Sequence, residues 1–118
     1  MDSVENFVEF VDDRYTKALV FFLVSLALDD KSASFRSLNK ALYELGDEFS
    51  EFAWKVYLEM ARYYESRGVE IKYLNYLEKA LESFNILIER IKDVNFIESY
   101  INDAENEKFY KVLRSLTV

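Results

Sequence analysis

The chain contains neither histidine nor cysteine, and these two absences exclude many common functions. Zinc sites, Ser-His-Asp triads and cysteine proteases all depend on one or both of these residues. Di-iron helical bundles of the usual kind are excluded too, because they need a Glu-x-x-His motif. No disulfide can form, which suits a reducing cytoplasm, and we expect the protein there. We expect neither a cofactor nor a metal.

Proline is also absent, and glycine occurs only as Gly46 and Gly68. Sheets with tight hairpins need many turn-forming residues, whereas long helices need few. Of the 118 residues, 51% are hydrophobic and 17% aromatic, which is enough to build a sizeable core. No linker-like tract divides the chain. The sequence therefore predicts a single all-α domain over residues 1–118, with five or six antiparallel helices arranged as stacked hairpins or an irregular bundle.

The net charge and the length of the apolar runs argue against binding to nucleic acid and against a membrane span. A formal net charge of −7 argues against generic binding to nucleic acid backbones, which need clustered Lys and Arg. The longest apolar run covers residues 18–28, whereas a membrane-spanning helix needs roughly 20 apolar residues. We therefore expect a core helix buried on most sides and no membrane span.

The acidic start, with Asp2, Glu5 and Glu9, is unlike a signal peptide. The composition resembles that of proteins from thermophilic microbes.

Helix boundaries follow from capping residues and glycines. The predicted helices cover residues 2–29, 32–46, 47–68 and 70–93, then one or two helices after residue 95, with the polar run 102–108 as a candidate break. A bend is expected near Asp12 and Asp13. Asp47 is expected to cap the third helix. Gly46 and Gly68 are expected to take the left-handed conformation that closes a helix.

An internal repeat points to helical hairpins. The segment Leu38–Leu42 recurs as Leu77–Leu81, thirty-nine residues later. Around the later copy, aromatic, small and glycine positions follow one another at Tyr57, Met60, Ala61, Tyr64, Gly68, Tyr73, Leu77 and Ala80. This pattern resembles the tetratricopeptide repeat, although Ala61 stands where that family usually has glycine and Tyr73 where it has alanine. The resemblance implies a groove that receives a peptide or helix from another protein.

The leading functional hypothesis is a non-catalytic protein–protein interaction or scaffold module. It would present an aromatic and apolar groove, made by the third and fourth helices, to another protein. The chain has more aromatic residues than a core of this size needs, which motivates the choice. The predicted partner-binding residues are Tyr57, Tyr64, Tyr73, Tyr76 and Leu77, with Arg62 and Arg67 as rim charges.

A second hypothesis is a homo-oligomeric helical structural protein. Apolar residues in the fourth helix alternate at spacings of three and four, as in the seam of a short coiled coil. The seam consists of Leu74, Leu77, Leu81, Phe84, Ile88 and Ile91. Packing inside one chain produces the same spacing, so a homodimer is one of two interpretations.

Two further alternatives depend on charged residues. A Mg²⁺-dependent all-α nucleotide hydrolase would hold its metal with four carboxylates, Glu44, Asp47, Glu48 and Glu51. Acidic residues at these positions equally suit the ends of helices. A weak single-strand nucleic-acid binder would stack bases on tyrosines that lie near basic residues. The candidates are Tyr73 and Tyr76 near Lys72 and Lys79, or Tyr63 beside Arg62. Alternatively, the acidic surface would imitate the charge of DNA, and the protein would act as a DNA mimic.

Overall fold

The computed structural model describes residues 13–46, 51–91 and 94–117, and every regular element in these ranges is an α-helix. The helices are α1 Arg14–Ala27, α2 Lys31–Leu45, α3 Ala53–Ser66, α4 Glu70–Arg90, α5 Val94–Asn102 and α6 Ala104–Thr117. The all-α prediction is confirmed, and the helices after residue 93 are two, separated at Asp103. Of the helices in the described ranges, none combines the length and the apolar character needed to cross a membrane.

Aspartates start the first two helices. Asp13 accepts a hydrogen bond from the backbone N–H of Tyr15 at 3.1 Å, so α1 begins where the bend was expected. Residues 2–12 of the expected first helix lie outside the described residues. Asp30 caps α2 in the same way and accepts from the backbone N–H of Ser32 at 2.9 Å. Two neighbouring helices therefore begin with the same type of side-chain cap.

Both glycines close helices as predicted. Gly46 follows α2 with a φ of 59°, and Gly68 follows α3 with a φ of 73°. After Gly68, the backbone N–H of Val69 donates to the carbonyl of Tyr64 at 3.0 Å, which occupies an otherwise unpaired acceptor at the helix end. The third helix begins at Ala53 rather than at 47, and its expected cap, Asp47, lies outside the described residues.

The chain forms two compact units, Met1–Phe52 and Ala53–Val118, which are described separately. A single domain over residues 1–118 stays a prediction. In the first unit, α1 and α2 pack together as a helical hairpin. Two serine hydroxyls of α2 donate to carbonyls of α1, Ser37 to Phe21 at 2.7 Å and Ser34 to Ser25 at 2.6 Å. The Phe52 ring stacks on Phe22 with centroids 5.9 Å apart.

In the second unit, α3 and α4 pack along one another and α6 contacts both. The core consists of residues from all three helices, namely Trp54, Leu58, Ala61, Leu77, Ala80, Phe84, Leu87 and Leu113. Trp54 is fully buried, and the rings of Phe84 and Phe109 meet it edge-on at 5.0 and 6.2 Å. Its indole N–H donates to the hydroxyl of Tyr100 at 2.9 Å, which ties α5 to this core.

Candidate functional site

Tyrosines from α3 and α4 form a row of rings across the hairpin. Tyr57 and Tyr64 lie seven residues apart on α3, so about two helical turns bring them to the same face. Tyr76 extends from α4 and lies between them. Its ring stacks on Tyr64 with a centroid distance of 5.7 Å and an interplanar angle of 4°, and on Tyr57 at 6.5 Å and 26°. Tyr63 meets Tyr64 edge-on at 5.3 Å. We call these four residues the tyrosine ladder.

Cations cover the faces of the ladder. The Lys72 ammonium lies 5.3 Å from the centroid of Tyr64, and the Lys79 ammonium lies 5.6 Å from that of Tyr76. At the other end, the Arg67 guanidinium lies 5.2 Å from the ring of Tyr63. Each such contact is worth about 0.5–1 kcal/mol at an exposed position. Stacking and cation contacts together hold the rings in a defined arrangement.

The phenol groups of two tyrosines of α4 have raised pKa values. Burial raises the pKa of Tyr73, and a hydrogen bond to Glu65 together with the charge of that carboxylate raises it further. Burial also raises the pKa of Tyr76; the neighbouring Tyr64 adds to the rise and Lys72 opposes it. Both phenols are therefore neutral at ordinary pH, and the bond to Glu65 links α4 back to α3.

An open groove of about 420 Å³ lies beside the ladder on α4. Its lining is polar and of mixed charge, with Lys72, Asn75, Tyr76, Glu78, Lys79 and Glu82. Near the start of the same helix, the side chains of Ile71 and Leu74 are exposed. The site itself combines phenol edges, two ammonium groups and carboxylates. Such a mixture suits recognition of a surface.

The predicted rim arginines differ in their surroundings. Arg67 lies on the ladder, over Tyr63. Arg62 instead pairs with Glu59 on its own helix, with 3.1 Å between Nη1 and Oε1. Burial raises the pKa of the Glu59 carboxyl, and the charge of Arg62 partly offsets this rise. Arg62 therefore serves to compensate a largely buried acid.

Leu77 and most of the predicted seam residues lie inside the second unit. Leu77 is only 8% exposed and belongs to the core, so it supports the ladder from beneath. Phe84 is part of the same core. The remaining members divide into two groups. Leu81, Ile88 and Ile91 pack against that core, whereas Leu74 is 51% exposed. Intramolecular packing thus accounts for five of the six seam positions.

The four carboxylates of the predicted Mg²⁺ site are only partly described. Glu44 pairs with Arg14 at 3.4 Å, and Glu51 accepts a hydrogen bond from the Tyr15 hydroxyl at 3.5 Å. Asp47 and Glu48 lie outside the described residues. Among the residues that the structure describes, no group of three or more acids is placed to hold a metal ion. The nucleotide-hydrolase alternative stays a prediction.

The predicted partner-binding set omitted three residues of the site, Tyr63, Lys72 and Lys79, which were named only for the nucleic-acid alternative. A signal for the lysines exists, because Lys72 precedes Tyr76 by four residues and Lys79 follows it by three, the spacing of neighbours on a helix surface. No comparable local signal shows that Tyr76 reaches between two tyrosines of another helix.

Comparison with known proteins adds no relative. The chain matches no family model, no curated protein and no solved structure.

Proposed function

We propose that the protein is a non-catalytic interaction module that binds another protein through the tyrosine ladder. One observation carries this proposal, namely the parallel stack of Tyr64 on Tyr76, flanked by Lys72 and Lys79 at a partly exposed surface. Tyrosine has few rotatable bonds and combines an apolar ring with a hydrogen-bonding tip, so it is enriched where proteins bind one another.

Preorganisation supports the proposal. A side chain ordered on binding costs about 0.5–1.5 kcal/mol each. Ring stacking and the lysine contacts have already ordered the ladder in the free protein. A partner that offers carboxylates to Lys72 and Lys79, and acceptors to the neutral phenols, would bind with little further loss of entropy. The tetratricopeptide resemblance, which rests on the residues of α3 and α4, stays a prediction.

The same geometry makes a nucleic-acid function less suitable. Binding to single strands uses aromatic faces on which bases stack. Here the faces of Tyr64 and Tyr76 are turned toward each other, and lysine side chains lie over the ladder rings. The phenol edges and hydroxyls remain as the contact groups, and these suit a protein surface. As part of this proposal, we place the protein in the cytoplasm.

Tagged capture of the full chain from its native host, with nuclease treatment, tests the proposal. We expect one stoichiometric protein partner, identified by mass spectrometry. Because truncation of an interface hot spot costs about 2 kcal/mol or more, Tyr76→Ala should weaken binding of the purified partner about thirty-fold.

The matched control is Tyr43→Ala, since Tyr43 is 75% exposed and belongs to α2 of the first unit, which contains no residue of the ladder. Its affinity for the partner should equal that of the unmodified chain. Circular dichroism of both variants checks that each is folded. A partner that binds the Tyr76 variant as tightly as the control would contradict the proposal, and so would recovery of the bait alone.

A further inference from the structure

The tyrosine ladder brings two phenol rings from different helices into direct contact. Tyr64 belongs to α3, and Tyr76 belongs to α4, twelve residues later in the sequence. Their ring centroids are 5.7 Å apart and their planes differ by 4°. Since carbon atoms in contact lie about 3.5–4.0 Å apart, parallel rings at this centroid distance are displaced sideways. An edge of one ring therefore lies over an edge of the other.

The other tyrosine contacts of the ladder are less suited to a bond between two rings. Oxidised phenols couple through carbons at the edges of both rings. Tyr63 and Tyr64 are adjacent on α3 and meet at 80°, so an edge of one ring meets the face of the other. Tyr57 and Tyr76 are further apart, with 6.5 Å between their centroids and 26° between their planes. The geometry therefore favours coupling of Tyr64 with Tyr76.

The surroundings leave these phenols open to an oxidant and shield two other sensitive side chains. The chain has no cysteine, and both Met60 and Trp54 are fully buried. Burial protects a thioether from oxidation. Tyr76, in contrast, lines the open groove of about 420 Å³, and Tyr64 is partly exposed. Protons released from the phenols can pass to the solvent that fills this groove.

We infer that Tyr64 and Tyr76 form a site of oxidative modification, at which a carbon–carbon bond between their rings joins α3 to α4. The co-reactant is a one-electron oxidant of the haem peroxidase class, with hydrogen peroxide as the terminal electron acceptor. The inference goes beyond the proposed binding of a partner, because the reaction needs only this chain and the oxidant.

The reaction removes one electron and one proton from each phenol. The unpaired electron of each phenoxyl radical is shared with the ring carbons ortho to the oxygen, and one such carbon from each ring forms the new bond. Each bonded carbon then loses its hydrogen as a proton while the phenol oxygen gains a proton, which restores both aromatic rings. One hydrogen peroxide and two phenols thus give one dityrosine and two water molecules.

The bond would close the α3–α4 hairpin covalently. It joins residues twelve positions apart across the turn at Gly68, so it restricts the unfolded chain as a disulfide does. A link over a loop of this length should raise the urea midpoint of the second unit by about 1 M.

Treatment of the full chain in dilute solution with a haem peroxidase and hydrogen peroxide tests the inference. We expect a product of monomeric size that is lighter by two hydrogen atoms and has the blue fluorescence of dityrosine. Trypsin cuts after Lys and Arg, so the digest should contain residues 63–67 joined to residues 73–79. Circular dichroism of the isolated product should show the higher urea midpoint.

Each of the two joined fragments contains a second tyrosine, which supplies matched controls. Tyr64→Phe and Tyr76→Phe keep a ring in the stack but remove the phenol oxygen, so each should abolish the link. Tyr63→Phe and Tyr73→Phe remove the other phenol of the same fragment and should leave the link in place.

Three results would overturn the inference: a treated chain of monomeric size without dityrosine, a link that persists in Tyr64→Phe or Tyr76→Phe, or a link lost equally in Tyr63→Phe or Tyr73→Phe. Cross-links formed only between chains, for which the exposed Tyr43 is suited, would overturn it as well. An unchanged urea midpoint of the linked product would contradict the covalent closure of the hairpin.

Discussion

The buried indole of Trp54 provides a direct test of how the second unit is held together. Trp54 has no exposed surface, and its N–H donates to the hydroxyl of Tyr100 at 2.9 Å across 46 residues of sequence. Tyr100→Phe removes this acceptor and keeps the ring. Because no side-chain N or O that is buried among the described residues lacks a hydrogen-bond partner, the variant starts from a fully satisfied network.

The expected loss follows from the cost of a buried donor without a partner, which is about 1–3 kcal/mol. Tyr100 is half-buried, so water can approach from its side, and the lower half of that range applies. We therefore expect the free energy of unfolding to fall by about 1–2 kcal/mol. With a urea dependence of about 1–2 kcal/mol per molar for a unit of this size, the midpoint should move down by about 1 M.

Urea unfolding followed by tryptophan fluorescence is the appropriate assay. Trp54 is the single tryptophan of the chain, so its emission reports on the second unit. The control is Tyr43→Phe, which removes an exposed hydroxyl from the first unit. That variant should unfold at the same urea concentration as the unmodified chain. The indole emission should stay blue-shifted in both folded variants.

An unchanged midpoint for Tyr100→Phe would refute the reasoning. It would mean that the indole N–H finds another acceptor at no cost, and that α5 is held by apolar contacts alone. A loss much greater than about 3 kcal/mol would also disagree, because one unsatisfied donor does not account for it.

Three further substitutions test other local arguments, each by urea unfolding. Glu59→Gln should stabilise at pH 7, because burial raises the pKa of Glu59 and the folded state then holds its charge at a cost. This gain should shrink as the pH falls through the raised pKa toward 4.5, and a constant gain would contradict the assignment. Gly68→Ala should cost about 1–2 kcal/mol through its φ of 73° alone, since nothing lies within 4 Å of the added Cβ, and a neutral effect would exclude backbone strain. Asp30→Ala should cost about 1 kcal/mol of α2 capping, whereas the neighbouring Asp29→Ala should cost far less, and equal losses would show that the cap contributes nothing.

Helix content and several helix ends were predictable because their signals are local. Gly46 and Gly68 closed the expected helices, since only a few neighbouring residues decide where a left-handed conformation is needed. The residue types of the ladder were also anticipated at Tyr57, Tyr64 and Tyr76. The structure begins α3 at Ala53, whereas the expected cap, Asp47, lies outside the described residues.

Spacing could not distinguish a face that packs inward from one that remains exposed. The seam of α4 and the leucines of α1, Leu19, Leu23 and Leu26, share spacings of three and four residues. The structure turns most of the α4 seam toward the core and leaves Leu23 and Leu26 of α1 exposed. The spacing of apolar residues is a property of one helix by itself, whereas the burial of those residues depends on which other helix covers them.

The amino-acid sequence by itself therefore determined the helical class, the closing glycines and the absence of histidine and cysteine chemistry. Only the tertiary structure decided that Tyr76 stacks between Tyr57 and Tyr64, and that Trp54 donates to Tyr100. The physical reason is range. Helix formation and capping depend on residues up to about four positions apart, whereas ring stacking and buried hydrogen bonds join residues that only packing brings together.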